Sequence, residues 1–334
     1  MSDLKINNIT NRGGDNGPII AGVSTVSTSA FMIMPSGPTE FRGGRGRAIV
    51  FVGATPSNTT LIDAFNTTTA GNAFDFGDAS AARYNNGFGG CASATRGVIA
   101  DGTLMEYVVF SSGGGSNEFG DHRLMGGGTG NAAIGHAADG VRGLLAGGYI
   151  APSNLSTIDF INIATTGNSS FFGEFDDGST GGYTPMASPT RAVFARGGQN
   201  INYINFTTGG KTQIFGDMKG DSRTAHIASC SSSTRGIMAG GEAPSVVNTI
   251  TYITLATLGN GTDFGDLLLV RNDHDASSSS TRGFIVAGAN APAKTNRIEF
   301  VTISTTGNAK DFGDLTQART QPSSCSDVHG GLGD

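Results

Sequence analysis

The sequence predicts an all-β protein, a six-bladed β-propeller, on the basis of two repeated phrases. The first phrase is Phe-Gly-Asp or Phe-Gly-Glu, which recurs at intervals of 43 to 53 residues and begins at Phe76, Phe119, Phe172, Phe215, Phe264 and Phe312. The second is an arginine followed by small or apolar residues, at Arg47, Arg96, Arg142, Arg191, Arg235 and Arg282. A repeat of about 40 to 50 residues is typical of the four-stranded blades of propellers. Six copies of both phrases predict six blades.

Each repeat contains the same segments in the same order, which is clearest in the fifth unit. Ile227–Cys230 is a run of mostly small residues, and Gly236–Gly241 is an apolar run closed by glycines. Thr249–Leu255 alternates threonine with aliphatic residues, and Thr262–Asp266 contains the Phe-Gly-Asp phrase. Alternation of this kind indicates half-buried strands. Small residues suit a strand crowded around an axis, so we predict this order of strands from the axis outward.

The two ends of the repeat region predict how the ring closes. The segment Ala48–Gly53 reads as a second strand, but no inner strand precedes it. The missing strand is expected at the other end of the chain, in Ser323–Val328, where Cys325 has the same phase as Cys91 and Cys230. Insertion of this segment beside Ala48–Gly53 would complete the first blade and cover the last open sheet edge.

The three cysteines are predicted to be buried packing residues. Cys91 and Cys230 each lie five residues before a repeat arginine, so they occupy equivalent places on different blades. Equivalent places are separated around the ring, and no Cys-x-x-Cys spacing is present. We therefore expect neither a disulfide nor a zinc site.

Composition excludes several classes of function. The chain has 53 glycines and 10 prolines in 334 residues, which suits tight turns between short strands. Its net charge is −6 without a basic cluster, whereas a nucleic-acid groove needs a stripe of lysine and arginine. No apolar run reaches the roughly 18 residues of a membrane span, and Met1–Lys5 does not begin a signal peptide. We expect a soluble protein made in a cytoplasm.

Residues 1–41 lack the repeat, so the sequence divides into this segment and a propeller over residues 42–334. Two apolar runs occur in the segment, Pro18–Ala21 and Ala30–Met34. Exposed apolar surface often marks an interface, so we predict a docking segment. The alternative is that both runs lie against the side of the propeller. The proposed docking residues are Ile19, Ile20, Phe31, Met32, Ile33 and Met34.

The order of strands resembles that of kelch repeats over residues 42–334. In those repeats a glycine pair follows the second strand and aromatic residues come later in the blade. The pairs here are Gly147-Gly148, Gly197-Gly198 and Gly240-Gly241. The kelch tryptophan is missing, and phenylalanine stands near its place.

The N-terminal segment is similar to virion structural proteins of marine tailed phages, especially those of cyanobacteria. The similarity is strongest in Ile6–Arg12, Gly17–Val26, Met32–Glu40 and the last two repeats. It implies a non-enzymatic virion component on the tail or its fibres, with capsid decoration as an open alternative. It further implies that the partners are other virion proteins and that each particle carries multiple copies. The alternative function is a module that binds a host-surface receptor or glycan.

Several motifs imitate catalytic signatures. Asp-Phe-Gly recurs at Asp75, Asp263 and Asp311, but its kinase companions are missing and its periodicity indicates a structural role. His274, between Asp273 and Asp275, is the best metal or acid–base candidate, although a solvated loop is the favoured interpretation. A sialidase or lyase needs acids, arginines and a tyrosine that do not assemble from the sequence. We predict no catalytic residue, metal or cofactor.

The repeat arginines allow two interpretations. Because Arg96, Arg142, Arg235 and Arg282 occupy one turn position per blade, they could form a ligand-binding ring on one face of the disc. The favoured alternative is that each guanidinium hydrogen-bonds carbonyl groups of neighbouring turns.

Overall fold

A computed structural model describes most of the repeat region. The described residues are 46–83, 89–101, 103–123, 134–150, 152–176, 183–196, 200–218, 226–242, 244–290 and 292–332. They form six antiparallel blades around one axis, and the inner strands of successive blades contact each other around the closed ring. The predicted all-β, six-bladed propeller is confirmed. The boundary at residue 41 stays a prediction, because residues 1–45 lie outside the described part.

Each blade has an inner, a second, a third and an outer strand, counted from the axis. In that order the strands are Ser323–Ser326, Arg47–Phe51, Thr59–Asn66 and Phe74–Arg83 in blade 1; Cys91–Ala92, Arg96–Asp101, Leu104–Val109 and Asn117–Asp121 in blade 2; Gly135–Ala138, Arg142–Ala146, Thr157–Asn162 and Ser170–Glu174 in blade 3; Tyr183–Ala187, Arg191–Arg196, Asn200–Asn205 and Gln213–Asp217 in blade 4; Ala228–Ser231, Arg235–Ala239, Thr249–Thr254 and Thr262–Asp266 in blade 5; and Asp275–Ser278, Arg282–Val286, Arg297–Thr302 and Lys310–Asp314 in blade 6.

A few short elements were not expected from the repeat. Two small hairpins pair Tyr149–Ile150 with Ser153–Asn154 and Ala289–Asn290 with Ala293–Lys294. The strand Gly210–Lys211 adds a parallel fifth member to blade 3. These elements lie in turns, where two or three residues decide the pairing and strand periodicity gives no signal.

The C-terminal segment closes the ring as predicted. Ser323–Ser326 pairs antiparallel with Arg47–Phe51 and becomes the inner strand of blade 1. Cys325 pairs with the residue two places after the repeat arginine, as Cys91 and Cys230 do in their own blades. The register thus confirms the phase that the sequence assigned to Cys325.

The chain beyond the closing strand stays ordered and contacts several blades. The carboxylate of Asp327 accepts hydrogen bonds from the amides of Gly46 and Arg47, both at 2.8 Å. His329 Nε2 lies 2.6 Å from the carbonyl oxygen of Ala92, and a short 3₁₀ helix, Gly330–Leu332, follows. The end of the described chain is therefore tied to both blade 1 and blade 2.

The Phe-Gly-Asp phrase is a contact between blades. At the junction of blades 5 and 6, the amide of Gly307 donates to the carbonyl of Phe264, with 2.8 Å between nitrogen and oxygen. The amide of Asp266 donates to Oδ1 of Asn308 at 3.0 Å. A Cβ atom on the phrase glycine would lie 2.0 to 2.6 Å from the backbone of the facing turn at all six junctions. Real Cβ atoms do not approach so closely, so each outer strand needs glycine where the next blade docks.

A second contact between blades explains the cysteines. A Cβ on Gly97 would lie 2.7 Å from Cys325 Sγ, and one on Gly143 would lie 2.6 Å from Cys91 Sγ. The inner-strand thiol of one blade thus fills the space beside the glycine that follows the repeat arginine in the next blade. All three cysteines are free and buried, which confirms their prediction as packing residues without a disulfide. Burial raises the pKa of Cys230 to about 12, so this thiol stays protonated at neutral pH.

Ion pairs to buried acids link four of the six junctions. In each, an arginine at or after the end of an outer strand meets a buried acid on the third strand of the next blade; the pairs are Arg83–Glu106, Arg123–Asp159, Arg271–Glu299 and Arg319–Asp63. Arg319 Nη2 lies 2.9 Å from Asp63 Oδ2, and both side chains are fully buried. Burial lowers the pKa of Arg319, and the attraction of Asp63 opposes this shift. Removing one member of such a pair leaves a buried charge, which costs about 3 to 5 kcal/mol.

Candidate functional site

The repeat arginines bridge neighbouring blades. Arg96 Nη1 donates to the carbonyl of Ala164 at 2.7 Å, and Arg235 Nη1 donates to the carbonyl of Ile303 at 2.9 Å. In every blade the acceptor is a carbonyl just after the third strand of the next blade. The remaining pairs are Arg47–Phe110, Arg142–Phe206, Arg191–Ala256 and Arg282–Thr68.

Five of these guanidinium groups also lie over an aromatic ring of their own blade. The distances from the guanidinium carbon to the ring centroid are 4.3 to 5.7 Å, for Arg47 over Phe76, Arg96 over Tyr107, Arg191 over Tyr203, Arg235 over Tyr252 and Arg282 over Phe300. Such contacts contribute about 0.5 to 1 kcal/mol at exposed sites. The arginines therefore make the carbonyl contacts that the favoured interpretation describes, and ligand binding by the ring stays a prediction.

The predicted docking residues Ile19, Ile20, Phe31, Met32, Ile33 and Met34 lie outside the described residues. Their role stays a prediction.

The expected solvated loop around His274 is wrong for two of its three residues. The side chains of His274 and Asp275 are buried, because the inner strand of blade 6 begins at Asp275, next to the crowded axis. His274 Nε2 lies 2.9 Å from the carbonyl oxygen of Ala239 on blade 5. Asp273 alone is partly exposed, at 25%. His274 thus contacts the neighbouring blade, and the exposed titratable group is the carboxylate of Asp273, one residue earlier.

Asp273 belongs to a group of three polar residues that we call the polar cluster: His226, Asp273 and Gln321. Each stands two residues before the inner strand of its blade, in blades 5, 6 and 1 respectively. His226 Nδ1 lies 2.5 Å from Asp273 Oδ1, and Gln321 Nε2 lies 3.5 Å from the same oxygen. The backbone amide of Gln321 also donates to the backbone carbonyl of Asp273, with 2.7 Å between nitrogen and oxygen. The polar cluster therefore joins three successive blades.

The electrostatics of the polar cluster favour a charged pair. The hydrogen bond that His226 donates to Asp273 is the largest influence on His226 and raises its pKa, in opposition to burial. The pKa of Asp273 is lowered; burial acts to raise it, but the hydrogen bond and charge of His226 outweigh that effect. Below the raised pKa of His226, an imidazolium therefore faces a carboxylate on the surface of the disc.

A buried carboxylate lies beside the polar cluster. Asp275 accepts hydrogen bonds from the amides of Gly89 at 3.1 Å and Ser324 at 2.5 Å, which connects blade 6 to blades 2 and 1. Burial raises the pKa of Asp275 to about 8, against the opposing effect of the backbone amides of Ala276, Ser324 and Gly89.

A cavity lies on the axis of the ring. It is lined by the inner strands of blades 1, 3, 4, 5 and 6 and by the segment just before the inner strand of blade 2. Its volume is about 50 Å³, and its lining includes Gly89, His136, Ser277, Ser324 and His329. The Ser277 hydroxyl has no hydrogen-bond partner within the described part of the chain, although the residue is only 5% exposed. A cavity of this volume with polar walls has room for one or two water-sized groups.

The sequence did not single out the polar cluster. Asp273 entered only as a neighbour of His274, and neither His226 nor Gln321 belonged to a predicted site. The signal that could have found the cluster is its phase, since each member precedes its inner strand by two residues. That phase is visible only after the strand boundaries are known to within one residue.

No protein-family model matches the chain, and a search of the curated proteins found no match. Among the described residues, no helix is long and apolar enough to cross a membrane. The same residues contain no group of three or more histidine, cysteine and acidic side chains arranged to hold a metal ion. Functional proposals therefore depend on the geometry of the chain itself.

Proposed function

We propose that this chain is a non-enzymatic structural protein of a phage virion, tail- or fibre-associated, which attaches through residues 1–41 and displays its propeller outward. The observation that carries the proposal is that the ring is complete without the N-terminal segment. Every described blade strand lies between Arg47 and Ser326. The described ring therefore needs no strand from the first 41 residues, and we assign their apolar runs to contacts with other virion proteins or with sister copies. Decoration of the capsid is the alternative location.

Burial of the two apolar runs against a partner supplies the driving force. Each Å² of apolar surface removed from water contributes about 25 cal/mol, before the cost of association is subtracted. A charge placed in such an interface opposes association, because a buried unpaired charge is unfavourable.

Particle reconstitution tests the attachment. Particles that lack this chain are mixed with the full-length protein, with a chain lacking residues 1–41, or with the full-length double variant Phe31→Asp, Ile33→Asp. We expect the parent to join particles, and the truncated and double-variant proteins to remain free while melting at the parent's temperature.

Leu269→Asp provides the matched control. Leu269 is 41% exposed on the propeller, so the variant places the same charge on an apolar surface residue outside the N-terminal segment. It should join particles normally. Incorporation of the truncated protein together with exclusion of Leu269→Asp would show that attachment runs through the propeller.

A second candidate function is a receptor- or glycan-binding module, and the polar cluster supports it. Loops held by a rigid scaffold are the usual position of binding residues. The partly exposed side chains of His226 and Asp273 come from two blades whose relative position is fixed by backbone hydrogen bonds. A glycan array probed with the full chain separates the two functions, since a purely structural component should bind no glycan.

A further inference from the structure

The backbone at the polar cluster is unusual for the residues that it carries. The φ angles are 57° at His226 and 51° at both Asp273 and Gln321. Glycine suits this left-handed conformation best, and blade 2 has Gly89 at the equivalent place with a φ of 78°. Polar side chains at three blades thus occupy positions where glycine would fit with less strain.

Each member of the polar cluster keeps one polar atom without a partner among the described residues. Oδ1 of Asp273 accepts hydrogen bonds from both His226 and Gln321, so Oδ2 is the oxygen without a partner. His226 uses Nδ1, which leaves Nε2, and Gln321 uses Nε2, which leaves its amide oxygen. A carboxylate oxygen, an amide oxygen and an imidazole nitrogen are thus held close together, and the first two accept hydrogen bonds only.

Charge selects the kind of ligand. Asp273 is a carboxylate, and Glu242 is close enough to influence the titration of His226, so the site disfavours anions. One carboxylate and one imidazole are too few ligands for a metal ion, and the described residues supply no third ligand here. Uncharged hydroxyl groups suit the three atoms best, because hydroxyls donate to the two oxygens and accept from the protonated imidazole.

We propose that the polar cluster binds an uncharged polyhydroxylated ligand, the terminal sugar of a glycan or the same free sugar. This proposal rests on the binding-module function and assigns its site. Two adjacent hydroxyls of the sugar would contact Asp273 and Gln321, and His226 would contact the oxygen beside them.

Titration of the full chain tests the site. The probes are a panel of neutral methyl glycosides (hexose, 6-deoxyhexose and N-acetylhexosamine types), inorganic phosphate as an anionic probe, and an array of surface glycans that ends in the same sugars. The test variant is Asp273→Asn, which keeps the shape and a residue type tolerated at positive φ. The control is Asp311→Asn, which makes the same change at a carboxylate that is 67% exposed on the outer strand of blade 6.

We expect at least one neutral glycoside to bind the parent and the Asp311→Asn variant equally. Asp273→Asn should weaken this binding at least tenfold while its melting temperature stays within a few degrees of the parent's. Binding on the array alone would show that the ligand is an extended glycan, and binding of the methyl glycoside would show that one sugar suffices.

Two results would overturn the proposal, and they differ in what they leave standing. If a glycan binds and Asp273→Asn binds it as tightly as the parent, the binding function stands and the assigned site is wrong. If no neutral sugar binds in either format, both the site and the binding-module function fail. Preferential binding of phosphate would refute the argument from charge.

Discussion

The contact between an outer strand and the next turn predicts opposite results for two glycines that face each other. At the junction of blades 4 and 5, a Cβ on Gly216 would lie 2.1 Å from the carbonyl oxygen of Gly259. A Cβ on Gly259 would meet nothing within 4 Å. Neither glycine has a positive φ that would strain an alanine. Gly216→Ala and Gly259→Ala therefore compare the same change on the two sides of one contact.

The contact distance gives the size of the effect. Alanine at Gly216 forces the blades apart, and overpacking of this kind costs about 1 to 3 kcal/mol. The shift also strains the hydrogen bonds from Gly259 to Phe215 and from Gly261 to Asp217, at 3.1 and 2.8 Å, each worth about 1 kcal/mol. The total is about 3 kcal/mol, or a fall of roughly 5 °C in melting temperature for a domain of this size, since each residue contributes about 2.1 cal/mol/K to the entropy of unfolding. Gly259→Ala should be neutral or stabilising by up to about 1 kcal/mol, since alanine restricts the unfolded chain.

Thermal and urea unfolding of the full chain, followed by circular dichroism, measure both variants. The expected order of midpoints is Gly216→Ala well below the parent and Gly259→Ala at or above it. Equal midpoints for the two variants would refute the claim that the phrase glycine is required by close approach of the next blade.

Three further predictions concern closure and titration. A chain that ends at residue 319 lacks the closing strand and should aggregate or lose more than 10 °C in melting temperature, about the effect of several lost kcal/mol; a chain that ends at 332 is the control, and equal melting would contradict the role of closure. His122 is buried, and its ring nitrogens have no hydrogen-bond partner among the described residues, although Nε2 lies 3.7 Å from Asp159 Oδ2; two other blades have Leu267 and Leu315 at this place, so His122→Leu should stabilise by about 1 to 3 kcal/mol. Because burial lowers the pKa of His122, the parent loses stability as the pH falls below 6.5. The stabilisation by His122→Leu, measured by urea unfolding, should therefore be larger at pH 5 than at pH 8. Equal stabilisation at both pH values would contradict the pKa argument. Because the pKa of Asp275 is raised to about 8, its contribution to the free energy of unfolding is fully present below pH 3.8 and is progressively lost as the pH rises to about 8. Asp275→Asn should therefore reduce the fall in urea midpoint between pH 5 and pH 8. An unchanged fall would show that Asp275 is ionised over this whole range.

The repeats in the sequence were enough to predict the number of blades, the order of strands and the closure. This succeeded because a blade cannot bury its faces alone, so each copy must carry the same apolar pattern. The phase of Cys325 even predicted the register of the closing strand. The roles of the phrases were harder to predict: the glycine at Gly265 and the arginine at Arg235 act on the next blade, and contacts between blades leave no periodicity within one blade.

The polar cluster could not be predicted for a related physical reason. Its members, His226, Asp273 and Gln321, are about 48 residues apart in sequence, and each stands in a loop where single residues give no pattern. Their proximity follows from the ring geometry, which places equivalent positions of successive blades side by side. His274 attracted attention instead because it has acids on both sides, although alternation along the strand start buries it.

Comparison of equivalent positions separates packing from function in this chain. Where alanine replaces the glycine after the repeat arginine, at Ala48 and Ala192, the preceding blade carries Ser277 or Ala137 in place of cysteine or methionine. A change in volume on one blade is thus matched by the opposite change on its neighbour, as close packing requires. The polar cluster departs from glycine without such compensation, and it retains both positive φ angles and unpartnered polar atoms. The proposed ligand would account for this departure, because strain of this kind persists where the surroundings enforce it and is concentrated at functional sites.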